Sequence, residues 1–446
     1  MYWIHFGAGN IFRGFIAALH QELLDKKITD TKLIAADGYD FEIIDKIYKP
    51  YKNKTELVIL RGDGYFEHSV IDSISESLVA SPERKSDWDR LCKLFASNDL
   101  QMVSFTITEK GYTKLENSTI GTLCDLMLHR YESGALPVAL VSMDNYSHNG
   151  DRLKECLISI AQNRNKPGFV EYLSDPEKVS FPLTMIDKIT PNPSPIVQKM
   201  LQDKGLKDMN IIKTAKGTIV APFVNAEKTQ YLVVEDWFPN GREPLEKAGV
   251  IFTHREIVDK VEKMKVCACL NPLHTALAIF GCLLGFKSIA MEMKDDDLRT
   301  LVERMGYEEE LPVALDPGVL NPKEFLETVL NERLPNPNLP DTPQRIACDT
   351  SQKLPIRFGE AIKLYGNKAC NLKFIPLVLA AWLRYRQAID DEGNPMELSP
   401  DPACPEDIFS LVYAIGGEML KDKIDSYYNE MQGNGAVRAC LMRILK

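Results

Sequence analysis

The stretch Tyr2-Trp3-Ile4-His5-Phe6-Gly7-Ala8-Gly9-Asn10-Ile11-Phe12-Arg13-Gly14 decides the fold. Five β-prone residues run into a Gly-x-Gly turn, and apolar residues then recur at helical spacing through Phe15, Ile16, Leu19 and Leu23. Strand, tight turn and helix in that order make a dinucleotide-binding opening: glycine permits the turn and lets a pyrophosphate approach the helix N-terminus. Gly7, Gly9, Asn10 and Phe12 are the candidate cofactor residues of this turn, although Phe12 stands where a third glycine is usual and Gly14 follows two residues later. A second β-prone run from Lys32 to Ala36 ends on Asp37, where a carboxylate accepts hydrogen bonds from ribose hydroxyls and repels the extra phosphate of NADP. NAD is therefore the expected cofactor. Each glycine or aspartate alone reads as an ordinary turn residue; their order along the chain favours the functional reading.

Outward from this opening, strand-like runs recur at Leu57 to Leu60, Gln101 to Thr108 and Pro137 to Ser142. Helical patterns intervene around Trp88 to Phe95 and Gly121 to Tyr131, and this alternation predicts a parallel sheet covered by helices on both faces. Another strand candidate covers Tyr231 to Asp236. Beyond about Thr253 long apolar-periodic stretches dominate, including Cys267 to Phe286, Pro355 to Leu364, Leu372 to Ile389 and Pro405 to Leu420. The expected architecture is an α/β Rossmann-type domain over residues 1–253 and a mainly α-helical substrate domain over 254–446. Two domains also suit 446 residues, since single cores stop growing near 250–300 residues.

A net charge of −10 disfavours attraction to nucleic acid or to an anionic membrane surface, which leaves small molecules as the expected partners. The opening residues lack the pattern of a secretory signal, and no stretch reads as long enough and free enough of charge to span a bilayer. Ten cysteines without a CxxC pair suit buried thiols in a reducing cytoplasm better than disulfides or a zinc site.

Six further segments resemble the mannitol dehydrogenase family of long-chain polyol and sugar-acid dehydrogenases. They are TITEKGY at 106–112, SMDNYSHNG at 142–150, MIDKITP at 185–191, EDWFPNGREPLEKAGV at 235–250, EKMKVCACLNPLH at 262–274 and DTPQRIACDTSQKLP at 341–355. With the opening HFGAGNIFRGF, which is also similar to that of mannitol-1-phosphate 5-dehydrogenases, they extend over about three quarters of the chain. The resemblance implies NAD-dependent interconversion of a secondary alcohol and a ketone on a hexonate or hexitol, of the mannonate–fructuronate or mannitol–fructose type, without a metal. It implies Lys265 as general base, Asn271, His274 and Asn145 as holders of the reacting oxygen, Glu262 as proton relay, and Asp187, Arg345 and Lys353 as substrate contacts. An amine accepts a proton only in its neutral form, which burial and nearby positive charge favour. Taken singly, each lysine or arginine reads as a solvated surface charge and His274 as a core histidine.

One departure bears on the base. The family places four residues between lysine and asparagine, whereas Val266 to Leu270 are five, and one inserted residue rotates an unbroken helix by about 100°. A helix break or a π-bulge between Cys267 and Asn271, with Asn271 capping a new helix that starts at Pro272, removes the mismatch. Lys263 is the alternative base. An NAD-using uronate epimerase and a catalytically silent nucleotide sensor are the competing functions, and neither requires net NADH production.

Overall fold

The computed structural model describes Met1–Lys446, Glu109 in its backbone alone. Six parallel strands form the main sheet: β1 (Tyr2–Phe6), β2 (Leu33–Asp37), β3 (Ile74–Val79), β4 (Leu100–Phe105), β5 (Val138–Ser142) and β6 (Val179–Ser180). Their order, β3-β2-β1-β4-β5-β6, is that of a Rossmann fold. Alternation along β1 explains why both faces are covered. Ile4 and Phe6 join Ile34, Val103 and Leu140 under the helices Lys85–Phe95, Thr119–Glu132 and Asn149–Gln162, while Trp3 joins Ala35, Met102 and Val141 under the helical run through Phe15, Leu19 and Leu23. Strand order reverses between β1 and β4, so the turn after β1 opens at the topological switch point where ligands of such sheets bind.

β3 has no counterpart in the sequence expectation, because Ser75, Glu76 and Ser77 interrupt its apolar run. Three side sheets complete this part: Thr55–Leu60 between Phe66–Ile71 and Phe223–Glu227, Tyr231–Glu235 between Thr184–Asp187 and Ile251–Thr253, and the antiparallel pair Ile212–Lys213 and Ile219–Val220.

The chain divides into two compact units, one of residues 1–61 and 65–259, the other of residues 62–64 and 260–446. The division at Asp259/Lys260 lies inside the helix Arg255–Met264, six residues beyond the expected end at 253, because the start of that helix packs with the first unit: Arg255 pairs with Glu235 and Asp151. The second unit is helical. Its centre is Asn271–Leu283 packed on Phe374–Tyr385, a helix with all twelve residues buried. Glu309 holds the N-terminus of the latter by accepting from the backbone N–H groups of Phe374 at 3.0 Å and Ile375 at 2.8 Å, and from that of Lys373. The expectation that no segment has spanning length is corrected here: the helical run Arg255–Leu283 is, at 29 residues, long and apolar enough by length and composition. Its apolar window is 78% buried within the protein, as befits the centre of a folded helical core.

Candidate active site

In the first unit the dinucleotide turn is built as its glycines suggest. Gly7 has φ +105°, and a Cβ there would lie 2.5 Å from the Thr106 carbonyl oxygen. A Cβ on Gly9 would meet nothing within 4 Å, which is the clearance a pyrophosphate needs at a helix N-terminus. Asp37 sets the turn itself: its Oδ2 accepts from the Ala8 N–H at 3.0 Å, and its Oδ1 from Tyr39 and Asp40 N–H at 2.8 and 2.7 Å. Burial pushes this carboxyl upward, opposed by the three hydrogen bonds. Three of its roughly four lone-pair directions are thus filled by backbone, which leaves one for a ribose hydroxyl. These features fit a dinucleotide.

Phe12 does not belong to the ligand surface. It is fully buried, and its ring stacks on His5 with centroids 4.0 Å apart and planes 4° from parallel. His5 is in turn held between Ser104 Oγ at 2.7 Å and Thr106 Oγ1 at 2.9 Å. The close packing usually given by a third glycine falls to Gly14, where a Cβ would lie 2.7 Å from Val224 Cγ1. Asn10 uses its Oδ1 to accept from the Arg13 guanidinium at 2.9 Å, and Arg13 also donates to the Ala221 carbonyl at 2.8 Å.

Asn145 lies beyond the C-terminal end of β5 and is exposed, and Asp187 is the last, buried residue of the strand Thr184–Asp187. The loop bearing Asn145 is fixed by Asp144, which accepts from the Tyr112 hydroxyl at 2.6 Å and the Tyr146 N–H at 3.0 Å. Asn149 ties it to the neighbouring strand by donating to Thr184 Oγ1 at 2.9 Å.

In the second unit the inserted residue is absorbed by a π-turn, which begins at Lys265 and so before the expected Cys267. Lys265–Cys269 form a π-helix, and the Leu270 N–H donates to the Lys265 carbonyl at 3.2 Å, five residues back. A π-turn holds one more residue than an α-turn, so the segments on either side keep their register. The new helix runs from Asn271 with Pro272 in its first turn, but Leu270, not Asn271, is its cap, with φ −129° and ψ −62°. Lys265 is buried, Lys263 is exposed, and Glu262 is half-buried on the preceding turn. The thiols of Cys267 and Cys269 are pushed up to about 11 and about 12, chiefly by burial.

His274 stands three residues after Asn271, with its Nε2 3.6 Å from Asp341 Oδ2. Burial, then the charges of Arg357, Arg333, Arg345 and Lys353, push it down to about 3, so the imidazole is neutral at ordinary pH. Arg345 is exposed and pairs with Asp341, and the Lys353 ammonium donates to the carbonyls of Ile346, at 3.2 Å, and Cys348. Burial and then Arg357 push Lys353 downward. Arg357 has no place in the sequence reading. It donates to Thr275 Oγ1, and Thr275 donates to the Asn271 carbonyl at 2.8 Å. Its spacing of four from Lys353, just past the DTSQKLP motif, is the signal that marks it.

The family models for the mannitol dehydrogenase Rossmann domain and the mannitol dehydrogenase C-terminal domain match residues 1–247 and 257–415. The chain belongs to the mannitol dehydrogenase family. It is an NAD-dependent oxidoreductase of the polyol and sugar-acid dehydrogenases, acting on CH–OH. A D-mannonate oxidoreductase of Thermotoga maritima is 50% identical over 431 residues, covering 90% of this chain and 79% of that protein. The Escherichia coli D-mannonate oxidoreductase is 28% identical over 90% of this chain and 83% of its own length. Among solved structures, a Pseudomonas fluorescens mannitol 2-dehydrogenase in ternary complex with NAD and D-mannitol shares the fold at TM-score 0.74 and 24% identity, covering 100% of this chain and 94% of that one.

Proposed function

We propose that this dehydrogenase interconverts a D-mannonate-type hexonate and its ketone, with Lys265 as general base and no metal. The 50% identity to a D-mannonate oxidoreductase over 90% of the chain carries the substrate reading. Bound to the first unit, NAD supplies the hydride acceptor. The Lys265 amine takes the hydroxyl proton as the carbinol carbon gives up its hydride, and the carbon–oxygen bond becomes the ketone. Burial of Lys265 and the exposure of Lys263 favour the former as base. The neutral His274 and the Asn271 amide donate hydrogen bonds to the reacting oxygen and offset the charge that develops there. Glu262, one turn before Lys265, passes the proton on to water. Arg345 and Lys353 bind the rest of the substrate. Among the described residues no three His, Cys, Asp or Glu side chains are grouped so as to hold a metal ion, and the lysine mechanism requires none.

NADH formation measured across D-mannonate, D-altronate, D-mannitol and D-sorbitol, before and after exhaustive chelation, tests the proposal. D-Mannonate is expected to lead and to survive chelation. Activity lost to the chelator and restored by zinc would remove Lys265 from its role, and a protein inactive on every hexonate would overturn the substrate reading.

A further inference from the structure

The cations near His274 differ in what occupies them. Arg345 has the Asp341 carboxylate, and Lys353 has two main-chain carbonyls. Arg357, by contrast, has only the Thr275 hydroxyl, which takes one of its five N–H donors, and among the described residues no carboxylate pairs with it. It is also mostly buried: desolvation pushes its guanidinium down to about 10, and the group that favours its charge, Cys267, is itself held as a thiol. A desolvated cation without a counter-anion is costly, and such groups concentrate where a ligand completes them. The planar fork of arginine matches a carboxylate through two parallel hydrogen bonds, whereas a hydroxyl offers it no charge. Finally, the link from Arg357 through Thr275 to the Asn271 carbonyl ties the guanidinium to the same helical turn as Asn271 and His274, so an anion bound there has a fixed position relative to the groups that hold the reacting oxygen.

We propose that Arg357 binds the carboxylate of the sugar-acid substrate and thereby sets the preference for a hexonate over the corresponding neutral hexitol. This rests on the proposed hexonate reaction. A site built around a buried polar or charged group rejects an analogue lacking the partner by up to about 10⁴ to 10⁵, whereas an apolar pocket rejects one lacking a methylene by about 10 to 200.

The test is kcat and KM for D-mannonate and D-mannitol with the wild-type protein, Arg357→Gln and Arg357→Lys, each checked for an unchanged melting profile. Arg357→Gln is expected to lose on the order of 10²-fold or more in kcat/KM on D-mannonate, mainly through KM, and markedly less on D-mannitol, so that the ratio of the two kcat/KM values falls by about tenfold or more. Arg357→Lys, which keeps a point charge but not the fork, is expected to fall between. If Arg357→Gln lowers both substrates equally, or acts through kcat alone, the residue merely positions the helix and the inference fails. A wild-type protein inactive on every hexonate overturns instead the reaction on which the inference rests.

Discussion

Phe12→Gly gives the first turn the third glycine that dinucleotide fingerprints usually carry, and it is expected to damage the protein. The Phe12 side chain is fully buried and its ring lies flat on His5 at 4.0 Å. Removing a buried phenylalanine to alanine costs about 3–5 kcal/mol, and glycine in place of alanine within a helix adds about 1 kcal/mol, giving roughly 4–6 kcal/mol. In a unit of this size each kcal/mol moves the melting temperature by about 2–4 °C, so a fall of roughly 10–20 °C is expected. Calorimetric melting with and without NAD measures it. Phe12→Leu, which refills most of the volume but cannot stack, is expected to recover more than half of the loss. A Phe12→Gly protein that melts within about 2 °C of wild type, or binds NAD more tightly, would refute the reading of Phe12 as a packing residue.

Asp37→Ser is expected to narrow the preference for NAD over NADP, since it removes the charge that repels a 2′-phosphate; the ratio of kcat/KM for the two cofactors checks this, and an unchanged ratio argues against the assignment. Glu310 is fully buried with neither carboxyl oxygen hydrogen-bonded among the described residues, and burial and then Glu309 hold its carboxyl well above the usual range. The folded protein therefore binds its proton more tightly than the unfolded chain. Stability from this group is complete below about pH 4.5 and is lost as pH rises towards the folded-state value, by up to about 1.4 kcal/mol per pH unit. Glu310→Gln stays neutral throughout, so its stability relative to wild type should grow between pH 5 and pH 8 in denaturation experiments; a pH-independent difference contradicts this.

Much of the first unit was legible because short apolar, β-prone runs and turn glycines are local signals: β1 falls on Tyr2–Phe6, and Asp37 ends β2. The edge strand Ile74–Val79 was not, since its register comes from pairing with β2 and not from its own alternation, with Ser77 and Leu78 both buried. Phe12 was misplaced for a related reason: its partner His5 precedes it by a strand and a turn, and stacking across that turn leaves no trace in spacing. In the second unit the π-turn after Lys265 followed from counting residues against a helical period, whereas the cap moved to Leu270 because backbone dihedrals are not visible in residue types. Arg357 escaped attention because a lone arginine reads as a solvated charge until its burial is known.

The direct test of the central claim is the turnover number of Lys265→Ala on D-mannonate, measured together with its dissociation constant for NAD. Loss of general-base catalysis is expected to lower kcat by about 10² to 10⁴-fold while NAD affinity stays within about twofold, because Lys265 lies in the second unit and the dinucleotide turn in the first. Near-normal turnover in Lys265→Ala would contradict the account.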